Sequence, residues 1–398
     1  MNIFKRYDKN NVMRKVAIIG VGISKFGEHW DKGLRDLALE AGIKAIEDAN
    51  IQGEKIDAGY VGNMAGGSFA GQEHIGALLV DQLGLNPIPV TRTEAACASG
   101  GVALRQGYMA VASGIHDVVV VGGVEKMTDL NTEQVTRILG GAGDQEWELF
   151  EGGTFPALYA LMMRRYMHEF NAKEEDFAYV AVKNHKHALN VPYAQFRKEI
   201  TVETVMNSKY IAKPIKIFDS SPITDGAAAI ILTSLENAYS YTDKPIEIVA
   251  SAQASDTLAL HDRVSLVETK SAQIAGELAY KQAGITPNDI DVAEVHDCFT
   301  IAEVLAIESL GFFKKGEGYK AAKEGLTTFG GKVVINTSGG LKAAGHPVGA
   351  TGIKQAVEIT LQLRGKATNR QVKNATYGLT HNVGGSGATA VVHIMKRE

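Results

Sequence analysis

The sequence predicts an α/β fold built from two similar halves, each with a β-sheet covered by helices. Short apolar, β-branched segments alternate with helical patterns along the chain. The segment 116–123 contains the run of valines that a strand buried on both faces requires. Residues 45–61 align without gaps on residues 279–295, with six identical positions. This internal repeat indicates a duplicated unit; similarity between two unrelated helix–strand units is the alternative.

The predicted elements of the first half follow the order of a βαβ unit. A strand, a helix and a second strand come first, at residues 16–24, 34–50 and 57–63. A further helix is predicted directly after Cys97. Each half closes on small residues that lead into a β-branched strand, at 226–232 and at 387–393. This second similarity supports the duplication.

These patterns divide the chain into two halves with one insertion. A chain of 398 residues is longer than one hydrophobic core usually serves, which agrees with two core-forming halves. We predict an N-terminal extension at 1–12, a first half at 13–240, an inserted and mostly helical subdomain at 128–215, and a second half at 245–398.

The composition excludes several classes of protein. Hydrophobic residues make up 45% and charged residues 22% of the chain, which are ordinary values for a folded globular protein. A net charge of −4 provides no broad positive field for nucleic acid or an anionic membrane. No apolar run approaches the roughly 20 residues of a membrane span, and the first residues lack the apolar centre of a secretory signal. We therefore expect a cytoplasmic protein without a nucleic-acid or membrane partner.

Cys97 is the first candidate for chemistry. It follows a strand-like stretch and precedes a helical one, with alanine, serine and glycine on both sides. The positive end of a helix dipole favours a thiolate over a thiol, and small neighbours permit a sharp turn that leaves room for a substrate. These features are typical of a nucleophile. A small buried hydrophobic residue is the alternative, since most free cysteines have that role.

Cys298 lies directly after a predicted strand, where α/β proteins collect their sites. His296 and Asp297 beside it allow an acid–base pair, but no further cysteine or histidine stands at metal-ligand spacing, so we expect no metal. A disulfide between the two cysteines is not expected in a reducing compartment. His185 and His187 alternate on a helical stretch, which favours surface or hydrogen-bonding roles over a metal site.

Two glycine-rich segments in the second half accompany the cysteines. The segment 336–352 contains His346 between a strand and a helix, which suits a base that activates a thiol. The cluster at 381–388 has the composition of an oxyanion hole made of backbone N–H groups, or of a plain tight turn. An earlier Gly20-Val21-Gly22 sequence does not continue with the spacing of a dinucleotide-binding fingerprint.

At these residues the sequence resembles the thiolase family over nearly its whole length. The motifs are the Cys97 segment, GGVEKM (122–127), DGAAA (225–229), GGLKAAGHPVGATG (339–352) and the closing glycine cluster. HDCF at 296–299 and KNHKHALNVPYAQF at 183–196 are similar to the archaeal and sterol-carrier-protein-type members. The resemblance implies two βαβαβαββ halves that form a five-layered αβαβα core, with the insertion as a loop subdomain.

The resemblance also implies roles for individual residues. Cys97 would accept the acyl group from an acyl-CoA, His346 would take its proton, and Cys298 would be the second acid/base. Where many thiolases have a catalytic cysteine in a CxG motif, this chain has Asn382-Val383-Gly384. The second thiol must then come from HDCF.

Two oxyanion holes follow from the same resemblance. Backbone N–H groups of Cys97 and Gly384 would stabilise the tetrahedral intermediate, while His346 and His296 would hold the enolate oxygen. The residues that bind the CoA phosphates are not singled out by the sequence.

The implied activity is that of an acetyl-CoA C-acetyltransferase, with acetyl-CoA, acetoacetyl-CoA and CoA as substrates. No permanently bound cofactor is implied, and the product would feed the mevalonate pathway. A homodimer or homotetramer is implied, as is a complex with hydroxymethylglutaryl-CoA synthase and a small OB-fold partner. A thiolase for longer or branched 3-ketoacyl-CoAs is an alternative, and a non-catalytic CoA-binding scaffold is an alternative of another class.

Overall fold

The computed structural model describes residues 13–51 and 53–398, so the predicted extension at 1–12 lies outside the described residues. Twelve strands are present in this part of the chain, in the order β1 (Val16–Ile23), β2 (Ala58–Gly62), β3 (Val90–Thr93), β4 (Val118–Glu125), β5 (Tyr210–Ala212), β6 (Ile215–Lys216), β7 (Gly226–Ser234), β8 (Ile246–Ser255), β9 (Val292–Glu294), β10 (Val334–Ile335), β11 (Tyr377–Gly384) and β12 (Thr389–Arg397).

Fourteen α-helices accompany the strands in the described part of the chain. They are α1 (Leu34–Asp48), α2 (Gly66–Ala70), α3 (Ile75–Gln82), α4 (Ser99–Ala112), α5 (Thr132–Gly140), α6 (Phe155–Phe170), α7 (Glu174–Ala188), α8 (Val202–Met206), α9 (Leu235–Ala238), α10 (Lys270–Ala283), α11 (Thr300–Ser309), α12 (Gly318–Ala321), α13 (Gly340–Ala344) and α14 (Thr351–Leu363). No helix in residues 13–51 and 53–398 combines the length and apolar character needed to cross a bilayer.

The strand order repeats between the two halves. From its outer edge inward the first half has the order β3-β2-β4-β7-β1, and the second half has the order β10-β9-β11-β12-β8. Each of the five strands that a half contributes to the large sheet thus has a counterpart at the same place in the other half. The segments 45–61 and 279–295 occupy matching positions, since each runs from the end of a helix into the second strand of its half. The duplication predicted from the sequence is therefore present in the fold.

The two sheets meet at β1 and β8. Val16 pairs with Ile248 and Ile18 with Ile246 in an antiparallel ladder, which joins the halves into one ten-stranded sheet. The sequence patterns predict a sheet for each half but not this joint. It depends on contacts between distant segments, which local patterns do not record.

Helices form three layers around these sheets. α4 and α14 pack against each other between the two half-sheets, and α14 is buried along almost its whole length. A central core lies in this layer, and two outer cores lie under α1 with α3 and under α10 with α11. The layers are therefore αβαβα, as the family resemblance implied. The segment between β4 and β7 contains α5 to α8 and the β5–β6 hairpin, and α6 packs against α11.

Candidate active site

Cys97 lies in a tight turn between β3 and α4. The preceding residue, Ala96, has a φ of +52°, which a residue other than glycine seldom adopts. Ser99 holds the turn, because its Oγ donates to the carbonyl of Ala96 (2.6 Å) and accepts from the N–H of Ala95 (3.0 Å). Such locally strained backbone is common where a nucleophile must be presented. The sharp turn predicted from the small residues is present.

The thiol of Cys97 is protonated in the resting site. Burial raises its pKa to about 12, and the nearby Glu125 carboxylate adds to this increase, while the N–H of Gly385 bonds to the sulfur and acts in the opposite direction. The expectation that the helix terminus would favour the thiolate is therefore wrong for this site, because desolvation is the larger effect. Cys97 needs a base to become a nucleophile.

His346 is placed to be that base. Its backbone N–H donates to Oγ1 of Thr224 (3.0 Å), and its ring Nδ1 lies 2.7 Å from Oγ1 of Thr351 at the start of α14. The sulfur of Cys97 and one ring nitrogen each of His346 and His296 all lie within 4.8 Å of one another. Burial, with Lys354 as a smaller contribution, lowers the pKa of His346 to about 3. The imidazole is therefore neutral near pH 7 and can accept a proton.

His296 and Cys298 belong to the segment that joins β9 to α11. The ring of His296 lies edge-on to that of His346, with centroids 5.1 Å apart. Asp297, between these two residues, accepts from the N–H groups of Leu341 (2.6 Å) and Lys342 (3.2 Å) in α13. It ties the HDCF segment to the loop that contains His346. The acid–base pair considered for Asp297 is thus replaced by an anchoring role.

Cys298 is buried near Cys97 and has a hydroxyl partner. The single O–H of Tyr159, in α6, can donate either to the carbonyl of Gly385 (3.2 Å) or to the sulfur of Cys298. Burial raises the pKa of Cys298 above its usual range, and the Tyr159 hydrogen bond acts against this increase. The ring of Tyr159 packs on Phe299, with centroids 4.7 Å apart. The inserted segment therefore supplies a polar group to the second thiol.

The end of β11 lies against the Cys97 turn. Asn382 donates from Nδ2 to the carbonyl of Cys97 (2.9 Å). A Cβ at Gly384 would lie 2.4 Å from the carbonyl oxygen of Ala95, so only glycine allows this approach. The N–H that bonds to the sulfur belongs to Gly385, whose φ is +62°. The oxyanion-hole role of the Cys97 and Gly384 N–H groups stays a prediction.

Comparisons with known proteins agree with this architecture. The family model for the thiolase N-terminal domain matches residues 16–236, and the model for the thiolase C-terminal domain-like family matches residues 252–397. The chain belongs to the thiolase family.

Relatives of this thiolase are similar over almost its whole length. An acetyl-CoA acetyltransferase of Methanothermobacter thermautotrophicus is 55% identical, over 97% of this chain and 100% of that protein. One of Methanocaldococcus jannaschii is 51% identical, over 96% of this chain and 99% of that protein. Human sterol carrier protein 2 is 36% identical, over 95% of this chain and 71% of that protein. The archaeal and sterol-carrier-type resemblance is confirmed.

Solved structures show the same fold. The acetyl-CoA acetyltransferase of Syntrophomonas wolfei superposes with a TM-score of 0.75 at 18% identity, covering 96% of this thiolase and 99% of that chain. A chain of the Ltp2-ChsH2(DUF35) aldolase superposes with a TM-score of 0.84 at 27% identity, covering 96% of this thiolase and 98% of that chain.

The histidines of the thiolase have several functions. His185 and His187 are buried in α7, so the surface alternative is wrong. They hydrogen-bond instead, His185 to the carbonyl of Lys198 and His187 to that of Asn336 (both 3.1 Å). The group Cys97, His296 and His346 offers three atoms that could also hold a metal ion, so the expected absence of a metal stays a prediction.

Two important side chains were missed by the sequence analysis. Tyr159 had no signal, because nothing in a mostly helical insertion marks the residue that will reach Cys298. Glu125 lies within the GGVEKM motif, but the motif does not reveal its role. Its carboxylate accepts from the N–H groups of Met64 (2.8 Å), Ala65 (3.1 Å) and Gly349 (3.1 Å), which joins β2 and β4 to the His346 loop. Burial raises its pKa to about 7.

Proposed function

We propose that this thiolase is an acetyl-CoA acetyltransferase, which joins two molecules of acetyl-CoA into acetoacetyl-CoA and free CoA and also catalyses the reverse thiolysis. The observation that carries this proposal is the meeting of two thiols and two imidazoles in one buried site. The names of the archaeal relatives at 55% and 51% identity support the same substrates.

The first half-reaction transfers an acetyl group to Cys97. The thiol proton of Cys97 passes to the free nitrogen of His346 while the sulfur attacks the acetyl carbon. The bond between this carbon and the CoA sulfur then breaks, and the CoA thiolate takes the proton of Cys298. The products are acetyl-Cys97, protonated His346, the Cys298 thiolate and free CoA.

The second half-reaction forms the carbon–carbon bond. The Cys298 thiolate removes a proton from the methyl group of a second acetyl-CoA, and the enolate oxygen lies between N–H groups of His296 and protonated His346. The enolate carbon attacks the acetyl carbon, and the Cys97 thiolate leaves and recovers its proton from His346. Every protein group then has its starting protonation again, with a methyl proton on Cys298 in place of the one given to CoA.

The apolar surroundings of Cys97 favour a short acyl group. Cys97 packs against a cluster of buried side chains, namely Met64, Phe69, Met127, Val135 and Val348. Because this wall is filled, a long chain on the sulfur would need side chains to move. The second candidate, a thiolase for longer or branched 3-ketoacyl-CoAs, is supported by the sterol-carrier-type relatives and is tested by relative rates on short and long substrates.

Further parts of the proposal concern the cell. We expect a cytoplasmic homodimer or homotetramer that needs no resident cofactor and supplies acetoacetyl-CoA to the mevalonate pathway. We also propose that the protein forms a complex with hydroxymethylglutaryl-CoA synthase and a small OB-fold protein. The Ltp2-ChsH2(DUF35) assembly, which contains a chain of similar fold, makes such a complex a reasonable target. Co-purification that recovers this chain alone under gentle conditions would contradict it.

Thiolysis of acetoacetyl-CoA by purified protein and free CoA tests the activity. We expect loss of substrate with the unaltered protein and none with the Cys97→Ala variant. No turnover on acetoacetyl-CoA, with turnover on longer 3-ketoacyl-CoAs, would favour the second candidate. No turnover on any of them would favour the non-catalytic scaffold.

A further inference from the structure

The side-chain amide of Asn382 has one possible orientation. Its Oδ1 accepts from the backbone N–H of Gly101 (3.0 Å), and its Nδ2 donates to the backbone carbonyl of Cys97 (2.9 Å). A rotation of the amide by 180° would place an NH₂ group against an N–H and an oxygen against a carbonyl. Both contacts would become repulsive, so the backbone fixes which atom is the nitrogen.

This orientation determines the protonation of His296. Nδ2 of Asn382 also lies 3.2 Å from Nδ1 of His296. Since the amide nitrogen can only donate, Nδ1 must offer a lone pair. Burial and the neighbouring His346 lower the pKa of His296 well below its usual range, so the ring is neutral. Its single proton therefore resides on Nε2.

The proton on Nε2 has no acceptor within the described part of the chain. Nε2 of His296 is buried and has no hydrogen-bond partner among the described residues. A buried polar atom of this kind is costly unless a ligand satisfies it. One ring nitrogen of His296 lies within 4.8 Å of the Cys97 sulfur and of a nitrogen of His346. Since Asn382 occupies Nδ1, the Nε2–H is the group left to donate to a substrate oxygen.

His346 is held differently. The Oγ1 of Thr351, which contacts its Nδ1, also lies 3.1 Å from the carbonyl of Pro347. This hydroxyl can donate to the carbonyl and accept from Nδ1–H, or it can rotate and donate to a bare Nδ1. For the free nitrogen of His346 to take a proton, Nδ1 must carry one, so Thr351 accepts from Nδ1–H both before and after that transfer.

We infer that Asn382 is a positioning residue that keeps His296 permanently in the Nε2–H form, so that one of the two imidazoles is a fixed donor to the enolate oxygen while the other exchanges protons. The inference deepens the proposed function and rests on it for the identity of the oxygen. It assigns a function to the position where many thiolases have the CxG cysteine.

Nitrogen NMR of the histidine side chains tests the protonation directly and needs no turnover. The chain has 11 histidines, and the His296→Asn variant identifies the signals of His296 by their loss. We expect Nε2 protonated and Nδ1 bare in the unaltered protein. In the Asn382→Asp variant, which keeps an acceptor for Gly101, a carboxylate oxygen facing Nδ1 should draw a proton onto it. A proton on Nδ1 in the unaltered protein, or no change in the variant, would overturn the inference.

A kinetic experiment separates positioning from a merely structural role. In a Cys97→Ala background, which cannot form the acetyl-enzyme, the Cys298 thiolate forms when its thiol passes the proton to His346, and exchange of acetyl-CoA methyl protons with deuterated water then reports enolate formation. Adding Asn382→Ala should slow this exchange roughly 10- to 100-fold. In a protein that retains Cys97, Asn382→Ala should affect the acetylation of Cys97 much less. The factor by which it slows acetylation should be at least ten times smaller than the factor by which it slows exchange.

Equal losses in both steps would show that Asn382 only supports the backbone, and would contradict the inference. If the alanine variant does not fold, the NMR result on the unaltered protein still decides. A protein with the expected His296 signals but no thiolysis would leave the inference on protonation standing and refute the proposed function.

Discussion

Removal of the Tyr159 hydroxyl tests the link between the inserted segment and the chemistry. In the Tyr159→Phe variant the ring keeps its packing on Phe299 (centroids 4.7 Å apart), but Cys298 loses its hydroxyl partner. A hydrogen bond to a charged group contributes about 1.5–3 kcal/mol. If the phenol stabilises the Cys298 thiolate, its loss should slow methyl proton abstraction roughly 10- to 100-fold, at about 1.4 kcal/mol per factor of ten.

The assay compares two rates on the same variant. Condensation of acetyl-CoA is followed by the appearance of acetoacetyl-CoA, and acetylation of Cys97 is followed by mass spectrometry after a rapid quench. We expect condensation to fall by the factor above and acetylation to change less than about threefold, because Tyr159 contacts Cys298 rather than Cys97. The carbonyl of Gly385 also loses its donor, which should lower the free energy of unfolding by about 1–3 kcal/mol.

Tyr166→Phe is the matched control. Tyr166 is buried in the same helix, α6, and loses a hydrogen bond to Glu308, which lies outside the site. This variant should lose stability without the selective loss of condensation. Equal losses of both rates in Tyr159→Phe, or unchanged condensation, would refute the reasoning.

Three further predictions concern the thiols and their surroundings. Cys298→Ala should abolish condensation and still permit acetylation of Cys97, which mass spectrometry and product formation measure together; unchanged turnover would exclude the role of Cys298. The rate of Cys97 acetylation should be flat between about pH 5 and pH 9, because the pKa of His346 is lowered to about 3 by burial and the pKa of Cys97 is raised to about 12 by burial. A decrease on acidification through pH 6.5, the ordinary pKa of histidine, would contradict the neutral pair. Gly384→Ala should destabilise the protein by roughly 1–3 kcal/mol and slow acetylation, since its Cβ would lie 2.4 Å from the oxygen of Ala95, whereas in Gly122→Ala the nearest atom lies 3.7 Å away. Thermal unfolding and acetylation rates of the two variants provide the comparison, and equal behaviour would argue against a tight approach at Gly384.

Local patterns were enough to predict the repeating elements. The helix expected at 34–50 is α1 (Leu34–Asp48), the strand expected at 57–63 is β2 (Ala58–Gly62), and the valine run lies in β4 (Val118–Glu125). Their apolar spacing is set by burial on nearby layers, so it is visible in any short window of sequence. The alignment of 45–61 with 279–295 succeeded for the same reason, because the same local unit occurs twice.

The parts that could not be predicted depend on contacts between distant segments. Whether the pKa of Cys97 is raised or lowered depends on how far several segments bury the sulfur, and the position at a helix terminus does not reveal this. Asp297 hydrogen-bonds to the start of α13, because the N–H groups of Leu341 and Lys342 have no partner within the helix. Tyr159 and Cys298 meet only because the insertion packs over α11. In each case the sequence shows the residue itself but not the distant partner that it contacts.

The most direct test of the account is the location of the acetyl group on the protein. The protein is mixed with labelled acetyl-CoA, quenched with acid within one turnover, digested and mapped by mass spectrometry. We expect the label on Cys97, its removal by added CoA, and its retention in the Cys298→Ala variant. Label on Cys298, or a protein that forms acetoacetyl-CoA without any labelled cysteine, would contradict the assignment of Cys97 as the nucleophile.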